Sequence, residues 1–453
     1  MYILYLSLTA ALTIGVACIA YFRFRDPFHP LFVLSLLLSW PYFLSPIQLY
    51  RTSVIQRYLP TENMPFAQLV FLIGIVSLQI GVLSAKQPRR TLPRQFTFSR
   101  ALRDRIRLAG IILGICGTAA YLYTVHGGGG FNAVYSDVHG RSSYGSGWVR
   151  DASSLLVPGI LFVLLSSFGV KLRLRDKVAL LFFAAPLVFQ GIIGSSRGVT
   201  FMTGITVVVG WYMVRSRRPG LIIVLAGGTL FSALIFLLAA ERSEFYLGSH
   251  FELQAPITAI EQFIQNDNPG QEYIYGAGSV IQAAETGRYQ WGALYLIHLV
   301  IQPIPHEWWP TKYEDSARYL GIPTVGEANF ENVNTMGWMA PAGAAAGMVA
   351  DMWVQFWWLM AIPLYLIGRV YGLTWRLAIT RGGIWTIIYV VLLAHSIFLT
   401  QQDVDAMLFK VLYIGSFTYA LWHILVQNLW RKQRVGRSSK ASYLYLAQAG
   451  VVK

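Results

Sequence analysis

Leu221-Ile222-Ile223-Val224-Leu225-Ala226-Gly227-Gly228-Thr229-Leu230-Phe231-Ser232-Ala233-Leu234-Ile235-Phe236-Leu237-Leu238-Ala239-Ala240 is a run of twenty residues without a single charge. Coiled as an α-helix at about 1.5 Å per residue, it measures about 30 Å, the thickness of a bilayer's hydrocarbon core. Charge returns at once on both sides, with Arg215, Arg217 and Arg218 before the run and Glu241-Arg242 after it. Working outward, ten further apolar runs of spanning length fall at 2–22, 31–49, 65–84, 106–125, 152–170, 178–193, 199–214, 352–368, 383–400 and 407–429. The sequence therefore predicts an all-α, polytopic membrane protein with about eleven spans, 1–453 forming one membrane domain.

Composition agrees. Of 453 residues, 55% are hydrophobic and only 13% charged, against about 25% charged in soluble domains. An aromatic content of 14% excludes disorder. The two cysteines, Cys18 and Cys116, sit inside apolar runs and imply no disulfide framework. No basic residue precedes Arg23, so the first run lacks the n-region of a cleaved signal peptide and reads as a span that stays.

The net charge of +15 is unevenly placed. Alternate connections hold 26 basic and 3 acidic residues, a net of +23, and the other set holds 10 basic and 18 acidic, a net of −8. Lys and Arg are retained on the cytoplasmic side during insertion. The N-terminus is expected outside and the tail 430–453 inside. The basic stretches then read as topology signals and contacts to anionic membrane lipids, not as a nucleic-acid surface. No span carries a Lys, Arg, Asp or Glu near its middle, which disfavours an ion-coupled pump.

Two external connections are long: 126–151 and 241–351. The second is rich in Trp, Pro, Gly and acids. Ile257, Ile260 and Ile264 stand at helical spacing in 255–265, and 291–302 is an apolar helical stretch too short to span. The turn Gly194-Ser195-Ser196-Arg197-Gly198 joins two spans. Either serine can cap the following helix, whose free N–H groups, together with Arg197, would make a small anion site at headgroup level. Arg242 follows the next hairpin to the same face, although Glu241 and Glu244 can pair with it. With Arg141, Arg288, Lys312 and Arg318, six cations stand on an otherwise acidic face, a set that fits a phosphate-bearing ligand.

Gln302-Pro303-Ile304-Pro305-His306-Glu307-Trp308-Trp309-Pro310-Thr311-Lys312-Tyr313 concentrates chemistry. Three prolines fix extended turns. Trp308 and Trp309 offer faces for stacking sugars, or an interfacial anchor. His306 and Glu307 could do acid–base work. No cysteine pair or His-x-x-x-His is present, so neither metal nor cofactor is implied.

The stretch from Ile304 to Lys312 resembles the Ile-Pro-Arg-x-Leu-Trp-Pro-x-Lys-Pro segment of bacterial oligosaccharide repeat-unit polymerases, the O-antigen polymerase class. Pro305, Trp309, Pro310 and Lys312 fit; His306 stands where that family has Arg, and Tyr313 where it has its second Pro. Many spans and one large late external loop are similar too. The resemblance implies a metal-independent membrane glycosyltransferase of lipopolysaccharide or related polysaccharide synthesis. Its substrate would be an oligosaccharide on undecaprenyl pyrophosphate, polymerised at the outer leaflet of the inner membrane alongside a chain-length regulator and a flippase. The implied roles are phosphate binding for Arg141, Arg197, Arg242, Arg288, Lys312 and Arg318, sugar stacking for Trp308 and Trp309, and proton transfer for His306 or Glu307. Asp315, Glu241 and Asp351 are further external acids. An O-antigen ligase and a flippase are the competing expectations.

Overall fold

A computed structural model describes residues 1–86, 98–136, 147–194, 196–215, 217–240, 247, 272–302, 304, 308–323, 336–338, 345–431 and 433. Among these residues there is no strand. Ten helices are long and apolar enough to cross a membrane: α1 Tyr2–Phe24, α2 Pro30–Arg51, α3 Met64–Leu83, α4 Arg100–Gly127, α5 Trp148–Ser166, α6 Leu174–Ile193, α7 Arg197–Val214, α12 Met348–Arg381, α13 Ile384–Gln401 and α14 Met407–Arg431. The run that opened the sequence reading forms α8, Leu221–Ala240. The long connection after it contributes α9 Glu272–Thr286, α10 over 293–301 and α11 Lys312–Leu320. The chain is thus a multi-pass helical membrane protein.

Apolar side chains face outward along these helices, as lipid requires. On α1, Leu4, Ile19 and Phe22 are exposed, and on α8 Ile222 is 83% and Leu230 75% exposed. Lipid is as apolar as a leucine core, so side-chain hydrophobicity alone does not hold helices together; close packing and internal polar contacts do. Both are present. Gln68 on α3 donates to Thr9 Oγ1 at 2.9 Å and to the Tyr42 carbonyl at 3.3 Å, and accepts from Tyr273 of α9 at 2.9 Å. Gln79 donates to the Leu12 carbonyl at 2.7 Å and to Ser35 at 3.1 Å. The backbones of α3 and α12 touch. A Cβ at Gly81 would lie 2.0 Å from the Tyr365 carbonyl oxygen, and one at Gly368 2.0 Å from that of Leu78. Only glycine permits that approach.

Several spans differ from their predicted limits; α4 begins at Arg100, not 106, and α6 at Leu174, not 178. α5 begins at Trp148, not at 152, because Arg150 and Asp151 belong to its first turn. α12 runs from Met348 to Arg381, well beyond 352–368. It is built in two pieces: Met348–Phe356, then a turn at Trp357, whose φ of 51° is left-handed, then Ala361–Arg381. The first piece is largely enclosed, with Trp353 0% exposed, and it makes Asp351 a helix residue and not a loop acid. α9 has no counterpart in the sequence reading; Tyr273, Ile274, Ala277 and Val280 bury it against the bundle. The 291–302 stretch is helical from Ala293. The candidate helix at 255–265 and all of the tail beyond 433 lie outside the described residues.

Candidate functional site

Alternation of the spans brings one set of ends of α4, α5, α6, α7, α13 and α14 to the end of the bundle that carries the 241–351 connection. There they enclose a cavity of about 510 Å³. α5 supplies Arg150, Asp151, Ser153 and Ser154 from its first two turns; Asp405, just ahead of α14, joins Phe409 and Lys410 of α14; His298 comes from α10 and Gln302 from the residue after it. Tyr121 of α4 and Tyr135, which also line it, share a hydroxyl hydrogen bond of 2.9 Å. The first turn of α7 also reaches the cavity, through Ser196, Gly198 and Val199.

The polar groups are interlocked. His298 lies in a widened π-helical turn, Ile297–Ile301, a deviation that turns side chains off the regular helical stripe and recurs at functional sites. Its Nδ1 pairs with Asp405. Lys410 Nζ stands 4.1 Å from the centre of the Phe398 ring. Asp151 feels the positive charges of Lys410 and Arg150. Behind Asp405, the Asp351 Oδ2 accepts from the Tyr295 hydroxyl at 2.5 Å and from the Val404 backbone N–H at 2.8 Å. Asp351 thereby fixes the turn that presents Asp405. Burial, and then the neighbouring Asp351 charge, push the Tyr295 hydroxyl well above its ordinary value, so it stays a donor. Asp403, on the same turn, is pushed up to about 7 by burial and by the charge of Asp405. Its Oδ1 is buried without a hydrogen-bond partner.

The predicted residues are placed as follows. Arg197 is the first residue of α7, its guanidinium 3.8 Å from the Glu272 carboxylate and 35% exposed, beside the cavity and not in its wall. Ser196 makes no side-chain cap on α7, contrary to expectation; its backbone is extended there and its N–H goes to the Gly191 carbonyl at 2.9 Å. Ser195 lies outside the described residues. Lys312 is only 4% exposed and donates from Nζ to the carbonyls of Gln302, at 3.1 Å, and Ile304. It ties the proline-rich segment down, with Ala317 of the same helix packed near Ile297 in a small apolar cluster. Trp309 donates to Asp315 at 2.7 Å, while Trp308 is 81% exposed. Hydrogen bonds from Thr311 and Trp309 hold Asp315 below the usual carboxylate range. Arg288 and Arg318 are exposed and do not line the cavity. His306, Glu307, Arg141 and Arg242 lie outside the described residues.

Sequence reasoning singled out none of Arg150, Asp151, His298, Asp405 and Lys410 as site residues. Each occurs alone near the end of an apolar run, and they converge only through the fold. One local signal was available: Asp403-Val404-Asp405 puts two acids into a short turn between spans on the acidic side. Among the described residues no group of three His, Cys, Asp or Glu side chains is arranged to hold a metal. Comparisons with protein families, with curated proteins and with solved structures returned no match.

Proposed function

We propose that this protein is a membrane glycosyltransferase that joins undecaprenyl-pyrophosphate-linked oligosaccharide repeats into a surface polysaccharide, at the outer leaflet of a bacterial plasma membrane. The cavity at the loop-bearing end carries the reading. A sugar hydroxyl attacks an anomeric carbon while a pyrophosphate departs. That chemistry needs cations near the leaving group, a base near the hydroxyl and a site shielded from bulk water. Arg150 and Lys410 supply cations, with Arg197 nearby; His298 and the carboxylates supply proton acceptors. The lining comes only from one set of helix ends, so the cavity serves a reaction at one surface better than passage through the bilayer. The Ile304 to Lys312 resemblance to repeat-unit polymerases points the same way. The apolar faces of the spans would accommodate the polyprenyl chain.

The reading is tested by glycan length in a strain from which the chain is deleted. Surface glycan capped at a single repeat unit is expected. A complete absence of surface glycan would instead indicate a ligase or a flippase, and unchanged long chains would exclude all three.

A further inference from the structure

His298 is 29% exposed toward the cavity, and its partner Asp405 is 7% exposed. An imidazole carries its two nitrogens on opposite edges. With Nδ1 committed to a carboxylate, the neutral ring holds its proton there and Nε2 remains the basic nitrogen. The pair is itself supported: the backbone N–H of Val404, adjacent to Asp405, is fixed by Asp351, which also receives the hydroxyl of Tyr295, one turn before His298. So one carboxylate, Asp351, sets the distance between the two elements that carry the pair. Tyr313 of α11 meets the imidazole in an edge-type contact, its ring centre 6.5 Å away. The same cavity is lined by Arg150, Asp151 and Lys410.

We infer that the His298–Asp405 pair is the base of the transfer reaction, taking the proton of the attacking sugar hydroxyl. The inference rests on the glycosyltransferase reading above and names its proton acceptor. As the hydroxyl oxygen bonds to the anomeric carbon, the bond from that carbon to the pyrophosphate oxygen breaks and its electron pair leaves with the phosphate. The hydroxyl proton passes to Nε2 of His298. Asp405 balances the imidazolium until the proton is released to water. Arg150 and Lys410 line the same cavity and are placed to meet the phosphate. Asp351 and Tyr295 are positioning residues that hold the pair in register. The base is thus assigned to α10, several residues before the proline-rich segment that carries His306 and Glu307.

The test uses the purified full-length protein in lipid nanodiscs. The probe is an organic-solvent extract of lipid-linked repeat units from cells in which the chain is deleted. His298→Gln should lower turnover by roughly 10²–10⁴-fold, the usual range for losing a general base, with an unchanged elution profile. Asp405→Asn should keep measurable turnover and move the acid limb of the pH–rate profile to lower pH, because loss of the carboxylate weakens proton binding by the imidazole. A purely structural role for Asp405 would lower the rate without moving that limb. The limb shift also stands independently if His298→Gln fails to fold. Wild-type protein that elongates the probe while His298→Gln does so within threefold overturns the inference alone, as does an unmoved acid limb. Folded wild-type protein that elongates nothing overturns the glycosyltransferase reading and the inference with it.

Discussion

At the basic end of the bundle each carboxylate meets an arginine. Asp26, 0% exposed, takes Arg218 at 2.6 Å, the Phe28 N–H at 3.0 Å and the Trp375 indole at 3.2 Å. Asp176 takes Arg107 at 2.7 Å, and the same guanidinium reaches Asp104 at 2.7 Å. At the loop end three carboxylates are instead grouped with one another: the charges of Asp403 and Asp405 bear on Asp351, and His298 pairs with Asp405. The first arrangement fixes helix positions, because each buried charge is neutralised where it stands. The second leaves charge imperfectly compensated beside a cavity, the condition under which a group can exchange protons near neutral pH. Equal chemistry thus serves scaffold at one end and reactivity at the other.

This contrast can be broken outright by topology. Reporter fusions at Gly248 and Arg437 are expected on opposite sides of the membrane, and same-side signals would end the distinction between the two faces. Next in size is Asp26→Ala, which strands the Arg218 guanidinium and the Trp375 indole. Removing one partner of a buried pair costs about 3–5 kcal/mol, and Arg218, still 22% exposed, places this case at the lower end. A large fall in melting temperature with normal activity per folded molecule is expected. Arg197→Ala should show the converse. Its pair with Glu272 is long and half-open, so stability changes by under about 1 kcal/mol. If it meets a phosphate, the loss of that contact is worth about 1.5–3 kcal/mol, read as shortened glycan at unchanged membrane levels; Arg197→Lys should restore part of it.

The smallest effect concerns pH. Asp403 binds its proton more tightly in the folded chain than in the unfolded one, so the folded state holds more protons between about pH 4, the ordinary aspartate value, and about pH 7. Stability should therefore fall as pH rises through that window. Asp403→Asn should flatten the slope, and thermal melts at a series of pH values measure it. The opposite slope would show that the carboxylate is ionised and paired.

The spans were legible because twenty uncharged residues in a row admit few other readings. Their ends were less so. Arg150 and Asp151 look like loop residues by charge, yet they form the first turn of α5 and line the cavity. Met348–Asp351 looks like the end of the loop because the acid stands just before the apolar run that starts at 352, and the left-handed backbone at Trp357 that splits the helix is visible only in three dimensions. α9 escaped notice because Gly276 and Gly278 dilute its apolar stripe, although Gly276 is needed there: a Cβ would lie 2.3 Å from the Ala346 carbonyl. The cavity itself joins residues from 121 to 410. A lone histidine in an apolar helix and an acid at the start of a span carry no mark of being neighbours.

The glycine contact between α3 and α12 has a consequence for how the chain can change. With Gly81 seated on Tyr365 and Gly368 on Leu78, α12 is locked lengthwise like a key cut against its ward. The distance along the chain from Gly368 back to Asp351 then becomes a fixed dimension of the protein. A single residue inserted in the continuous helix between Ala361 and Gly368 would swing the Trp357 turn by about 100° and slide it about 1.5 Å, carrying Asp351 away from Tyr295 and Val404 together. Side chains in this stretch can be exchanged for others of like size, but its length can neither grow nor shrink without moving Asp405.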